Sequence, residues 1–334
     1  MPPAKASSRR IIQKDHFIDS HDPGIRLHLR EKRPEGLRRF EEASTLLLLH
    51  GQSMPAPHAF DIALPGYSWM DFAAARGFDV FALSVRGYGL STRPPEMLAP
   101  RLANPPAVRG RVAMRDIDAA VRFICDYRSL DRINLLGYSF STTTTAAYTA
   151  ENGARIRRLV LYAPFYAYDR PAVAAQMEDP ARPGRFDPKF GAWRWVTKRE
   201  QMERWDGSIP RGQHAKWREA RAVKYYWEKQ LIYDPEGRKR RTPAVKVPNG
   251  PRADGYDRAR NIPLYDASKL HPPALLIRGD HDRSSTDPEA NGLFKALTAS
   301  RGKRHVIIGD ATHFIQFEKR HEELYSEVQL FLEG

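Results

Sequence analysis

Ser139, Asp282 and His313 are the residues whose types and order along the chain could perform nucleophilic chemistry. A serine hydroxyl is a weak nucleophile until a neighbouring imidazole takes its proton. That imidazole in turn needs a carboxylate to fix its tautomer and stabilise its cationic form. Ser139 lies in Gly137-Tyr138-Ser139-Phe140-Ser141, where the apolar run from Ile133 to Leu136 stops and a helix-like run begins. The pattern predicts a strand, a tight turn and a helix, which would lift the hydroxyl clear of both elements and aim unpaired helix N–H groups at a developing anion. Gly-x-Ser-x-Gly is the sequence form of such a nucleophile elbow. Here Ser141 stands at the last glycine position, and a serine alone at this place would also serve as an ordinary helix N-cap.

The partners come from two later strand ends. Gly279-Asp280-His281-Asp282 follows the apolar run Ala274 to Ile277, and Gly309-Asp310-Ala311-Thr312-His313 follows the run ending at Ile308. In open α/β sheets, catalytic groups gather at the carboxyl ends of strands. His313 is therefore the expected base and Asp282 the expected acid. Asp280, two positions earlier in the same loop, is the rival acid, and Asp169 a more distant third. An oxyanion hole, worth roughly 3 to 4 kcal/mol per donor, would use the backbone N–H of Phe140, directly after the nucleophile. Its second donor would be the N–H of Gln52, in the loop His50-Gly51-Gln52 that ends the first apolar strand.

These groups need a sheet to carry them. Ile11 to Arg30 alternates enough to predict an antiparallel edge hairpin, with Arg30 to Arg39 as a charged loop. Ser44 to Leu49 is a continuous apolar run ending near a glycine, as expected of a parallel strand covered on both faces. A helix from Ser68 to Gly77 and a strand from Phe78 to Val85 complete a crossover unit. The alternation continues with a helix over Val112 to Tyr127, the strand and helix around Ser139, and a strand over Ile156 to Tyr162. From 164 to 263 it stops, then resumes with strands at Ala274 to Gly279 and His305 to Gly309 and helices at Pro288 to Leu297 and Glu318 to Leu332. The prediction is an α/β class, a mostly parallel central sheet flanked by helices, with its core in 1–163 and 264–334 and a cap inserted over 164–263.

Composition narrows the function classes. Hydrophobic residues at 41% and charged ones at 28% fit a folded globular protein rather than a disordered one. Cys125 is the single cysteine, which excludes an internal disulfide, and its apolar helical surroundings make it a buried structural thiol. Met1 to Arg10 lacks an apolar segment behind its basic residues, and no run of about eighteen apolar residues exists. A cytoplasmic protein outside the membrane is expected. His281, His305 and His321 lack metal-ligand spacing and there is no glycine-rich phosphate loop, so neither a metal nor a cofactor is expected.

The net charge of +14 raises nucleic acid or an anionic surface as a partner. Residues 180–260 hold 21 Lys/Arg against 10 Asp/Glu, so most of that charge lies in the insert, together with five of the six tryptophans. One reading is a cap whose aromatics line an acyl or aryl pocket and whose charge draws in an anionic substrate. The plainer reading makes the tryptophans the insert's own core and leaves the arginines solvated. Arg238-Lys239-Arg240-Arg241 is the best nucleic-acid candidate, but a flexible surface loop explains the run equally well, and nucleic acid is not the expected partner. His50 is expected to support its loop, and Arg86 to brace one.

Taken together, His50-Gly51, Arg86-Gly87-Tyr88-Gly89-Leu90-Ser91, Gly137-Tyr138-Ser139-Phe140-Ser141, Gly279-Asp280-His281-Asp282 and His313 resemble the α/β-hydrolase superfamily, of the single-domain kind with a cap. The resemblance covers about 24 to 163 and 264 to 334 and leaves the insert unmatched. It implies a serine hydrolase acting on a small or medium carboxylic ester through an acyl-enzyme, with a small-molecule acyl substrate as partner. Amide, lactone or carbon–carbon bond hydrolysis through the same residues is the first alternative, and a non-catalytic binding protein on the same fold the second. Serine at the elbow argues against the members that carry aspartate there.

Overall fold

The computed structural model describes residues 10–334, and the absence of a leader read from Met1 to Arg10 concerns residues almost wholly outside that range. Ten strands occur among the described residues: β1 (Ile11–Asp19), β2 (Arg26–Pro34), β3 (Thr45–Leu49), β4 (Asp79–Ser84), β5 (Ile133–Tyr138), β6 (Ile156–Tyr162), β7 (Trp193–Thr197), β8 (Ala244–Pro248), β9 (Ala274–Gly279) and β10 (Lys303–Ile308). Eight of them form one sheet in the order β1-β2-β4-β3-β5-β6-β9-β10. The pairs β1–β2 and β2–β4 are antiparallel and the rest are parallel. This is the mostly parallel sheet with an antiparallel edge hairpin that the alternation predicts.

The all-apolar strands read as they do because both faces are covered. In β3, Leu47 and Leu49 join one core with Phe81 and Leu83 of β4, while Leu46 and Leu48 join a second core with Val80 and Ala82. Period-2 side chains thus serve two layers of helices at once. The first layer includes the helix Gly110–Arg128, whose buried Ala113, Ile117, Ala120, Val121 and Ile124 fall at helical spacing, and Cys125 is buried beside them. The second includes the C-terminal helix His321–Glu333 through Leu324, Val328 and Phe331. No helix among the described residues is long and apolar enough to cross a membrane.

Several element ends shift by one to three residues from the sequence expectation, as where the helix expected over Ser68 to Gly77 ends at Ala74, and two differences have a clear cause. The charged stretch after Arg30 is strand as far as Pro34, not loop. Its charges are answered by Asp15 on β1 and by two helix-borne or helix-end carboxylates, Arg30 by Asp15 and Asp61 and Lys32 by Asp61 and Asp71, so the segment keeps its ladder at little electrostatic cost. The last helix starts at His321 instead of Glu318, because Glu318 turns inward to serve the loop before it.

Residues 164–263 carry short helices and the antiparallel ribbon β7–β8. The ribbon is fastened to the loop before the helix Gly110–Arg128. Ala192 N–H donates to Arg101 O at 2.8 Å, Ala107 N–H to Ala192 O at 3.1 Å, Gly250 N–H to Ala107 O at 2.7 Å and Trp193 Nε1–H to Ala99 O at 3.1 Å. Gly250 is required there, since a Cβ would overlap the Val108 carbonyl group. Trp205 is fully buried between this segment and Phe314 and Phe317, and Trp217 and Trp227 are buried too.

Candidate active site

β5 delivers the elbow. Ser139 adopts φ 58° and ψ −121°, a conformation that L residues avoid, at the corner between β5 and the helix Phe140–Asn152. Neighbouring contacts hold it there. Ser139 N–H donates to Tyr162 O at 2.9 Å and Thr142 Oγ1–H to Ser139 O at 2.6 Å. Gly137 is needed two residues earlier, because a Cβ would come within 2.5 Å of Ser141 O. At Ser141, where the elbow pattern has glycine, the side chain is buried and donates to His50 O at 2.5 Å. The serine makes a tie and does not crowd the turn.

The structure brings the three candidate residues into one line. Ser139 Oγ lies 2.7 Å from His313 Nε2, and His313 Nδ1 lies 2.8 Å from Asp282 Oδ2 and 3.0 Å from Oδ1. All three are almost fully buried, at 6%, 2% and 3% exposure respectively, which strengthens each polar contact by excluding water. With Nδ1–H donated to the carboxylate, Nε2 is left as the acceptor facing the serine. Asp282 is itself held by Ser284 N–H and Ser285 N–H, each 2.8 Å from Oδ1. The rival Asp280 points elsewhere, accepting from Asp310 N–H at 3.2 Å and Ala311 N–H at 3.1 Å. Asp169 lies in an isolated bridge to Arg260, away from the line.

The His313 loop is braced from several sides. Tyr138 and Tyr162 hydroxyls donate to His313 O at 3.0 and 3.2 Å, and burial pushes both phenols well above their ordinary range, so they remain donors. Phe165 stacks on the imidazole at 5.9 Å, and the Arg258 guanidinium lies over the Phe165 ring at 4.0 Å. A cavity of about 240 Å³ touches Thr143, Arg258 and Tyr265; its lining does not include Ser139, His313 or Asp282.

Gln52 and Phe140 stand beside the elbow. A Cβ on Gly51 would meet the Ser139 Cβ at 3.3 Å, so the loop backbone passes directly alongside the serine. Among the described residues, neither Gln52 N–H nor Phe140 N–H has a protein acceptor. His50 donates from Nδ1 to Gly51 O at 2.7 Å and accepts Val85 N–H at Nε2 at 3.1 Å. Burial pulls its pKa down to about 4, so it is a neutral loop support. Tyr88 OH completes the brace, donating to Gln52 O at 2.7 Å. Arg86 is paired with Asp22 and Asp116 and fastens its own loop.

One contributor escaped the sequence reading. Glu318 is fully buried and accepts from Thr312 N–H at 2.9 Å, Thr312 Oγ1–H at 2.5 Å and Trp205 Nε1–H at 2.7 Å. Burial pushes its carboxyl up, while these donors pull it down. It fixes the residue before His313 and ties that loop to the 164–263 segment. Its helical-looking context hid it; a carboxylate five residues after the histidine was the only available signal. Among the described residues no group of three or more His, Cys, Asp or Glu could hold a metal ion.

Solved structures share this architecture. An N-acyl homoserine lactone degrading enzyme, Est816, aligns at TM-score 0.60 and 14% identity over 95% of this chain and all of its own. A thermophilic esterase from Thermogutta terrifontis aligns at TM-score 0.59 and 16% identity over 96% of this chain and 98% of its own. The enol-lactonase from Burkholderia xenovorans LB400 aligns at TM-score 0.56 and 16% identity, over 95% and 99%. No curated protein matches the chain. The family model described as the alpha/beta hydrolase fold matches residues 45–320, a span that starts at β3 and runs past His313. The chain therefore belongs to the alpha/beta hydrolase fold family.

Proposed function

We propose that this chain is a serine hydrolase that cleaves a carboxylic ester through Ser139, His313 and Asp282. The observation that carries the reading is the continuous line from Ser139 Oγ through both imidazole nitrogens to the Asp282 carboxylate, at 2.7 and 2.8 Å. His313 Nε2 takes the hydroxyl proton as Oγ attacks the ester carbonyl carbon. The carbonyl oxygen becomes an oxyanion between the N–H groups of Gln52 and Phe140, which need no partner to be displaced. Asp282 stabilises the imidazolium. Collapse of the tetrahedral adduct breaks the bond to the alcohol oxygen, which receives the proton from Nε2 and leaves an acyl group on Ser139. Water, deprotonated by His313, then repeats the sequence, releasing the acid and restoring the hydroxyl.

The same residues would serve an amide, lactone or carbon–carbon bond, since the first step differs only in the leaving group. The segment 164–263 acts in this reading as a cap over the site. A screen of esters, lactones and amides of graded length, run on the wild-type chain and on Ser139→Ala, tests the proposal. Ester turnover lost on the order of 10⁴-fold or more in the variant supports it. Equal turnover by both proteins, or none with any substrate of the folded chain, would remove it.

A further inference from the structure

Phe165 is the residue on which the fixtures of all three candidate catalytic residues converge. Its ring stacks on the His313 imidazole, with 5.9 Å between centroids and 13° between planes. Its N–H donates to Thr142 Oγ1 at 3.0 Å, and that hydroxyl donates to Ser139 O at 2.6 Å. One residue earlier, Pro164 O accepts Ser285 Oγ–H at 2.6 Å, and Ser285 N–H is one of the donors that hold the Asp282 carboxylate. Ala163 adopts φ 54°, a left-handed conformation that persists only where the surroundings fix it, here through its N–H on Ile277 O at 2.7 Å. The chain is thus pinned at Ala163, Pro164 and Phe165. The Phe165 ring is a fixed wall beside the imidazole.

The same elements continue into the cavity of about 240 Å³. Tyr166 and Ala167, which follow Phe165, line it, and so does Thr143, which follows Thr142. Arg258 lines it too, and its guanidinium lies over the Phe165 ring at 4.0 Å. One side chain therefore meets both the His313 imidazole and a wall of this space. The charged lining residues are all paired within the protein, Arg109 with Asp254 and Asp257, Arg111 with Glu151 and Arg258 with Glu289. Leu264 and Tyr265 add apolar surface, so the space suits an uncharged group and not an ion. A volume of about 150 Å³ is enough to hold a benzene ring. This cavity is larger.

The geometry points to Phe165 as the residue that limits substrate size. It closes the cavity off from Ser139 and His313, so that the wild-type chain takes an ester with short groups, and a smaller side chain at position 165 admits an uncharged alkyl or aryl group into that space. This rests on the hydrolase reading of Ser139 and names the size class of its substrate. The test lengthens the acyl and the alcohol group in turn, since one is carried by Ser139 and the other takes its proton from His313.

Acid release from ethyl acetate, ethyl hexanoate and hexyl acetate is measured for wild type, Phe165→Ala, Ala167→Leu and the double variant. Each result is read as kcat/KM of a long ester over that of ethyl acetate, so that a general loss from the missing ring divides out. Wild type should favour ethyl acetate. For at least one long ester the ratio should rise tenfold or more in Phe165→Ala, as added methylenes enter apolar space. It should return to within about threefold of wild type in the double variant, where the cavity is filled, and stay unchanged in Ala167→Leu alone. Melting curves check folding, and Phe165→Leu or Leu264→Phe replaces a variant that fails to fold. A ratio unmoved at position 165, or a gain that filling the cavity does not reverse, overturns the inference and leaves the hydrolase reading standing. A ratio lowered by Ala167→Leu alone also overturns it, because wild type would then already use the cavity. Folded wild type that turns over none of the three esters counts against the hydrolase reading itself, and the inference falls with it.

Discussion

The Ser141 hydroxyl donates to the carbonyl oxygen of His50 at 2.5 Å, fastening the helix behind the elbow to the loop that carries Gln52. Two parts of one candidate oxyanion hole, far apart in sequence, are thereby set against each other. A glycine at this position could not make the tie. Removing a hydrogen bond of about 1 to 2 kcal/mol from a positioning element should lower kcat of ester turnover roughly fivefold to thirtyfold in Ser141→Ala and Ser141→Gly. Steady-state kinetics on both variants checks this. A kcat unchanged in both would make the bond a packing detail.

Asp282 and Asp280 separate cleanly by what they touch. Asp282→Asn should lower kcat by about 10⁴-fold, because the amide cannot hold the His313 tautomer that faces Ser139. Asp280→Asn should lower kcat by less than about tenfold, with its cost appearing as roughly 1 to 2 kcal/mol of stability through Asp310 N–H and Ala311 N–H. Equal losses of turnover in the two variants would contradict the assignment.

Glu318→Ala should destabilise the protein by roughly 2 to 4 kcal/mol, since it strands Thr312 N–H and Trp205 Nε1–H in a dry environment. Denaturant unfolding measures it. A midpoint within error of wild type would show that water or a shifted side chain replaces the carboxylate.

His50 supplies a pH dependence with a definite sign. Its folded pKa of about 4 lies below the ordinary 6.5, so the stability it contributes is complete above 6.5 and is lost as pH falls toward 4. The full span amounts to roughly 3 kcal/mol. Urea unfolding between pH 7.5 and 4.5 should therefore show a steeper acid-side decline in wild type than in His50→Gln, which cannot take up the proton. Parallel declines would mean that His50 does not titrate in this window.

Much of this was legible from sequence because each feature had a local cause. Leu46 to Leu49 must be buried on both faces, and the elbow needs glycine at 137, where a Cβ would come within 2.5 Å of Ser141 O. The carboxyl ends of β5, β9 and β10 bring Ser139, Asp282 and His313 to one edge, as strand order demands. What stayed hidden depended on tertiary pairing. The charges of Arg30 and Lys32 looked like loop until Asp15, Asp61 and Asp71 were placed opposite them. Glu318 has the sequence context of a first helical turn, and only the fold sets its carboxylate between Thr312 and Trp205. Ser141 read as a flaw in a motif because its acceptor lies 91 residues away.

The most direct test of the account is covalent. Incubation of the folded chain with a fluorophosphonate, followed by intact-mass measurement, should give a single adduct on Ser139, absent in Ser139→Ala and slowed at least about 10²-fold in His313→Ala, where no base accepts the hydroxyl proton. A folded wild-type chain that takes up no adduct, or one labelled equally in Ser139→Ala, would contradict the claim that Ser139 is the activated nucleophile.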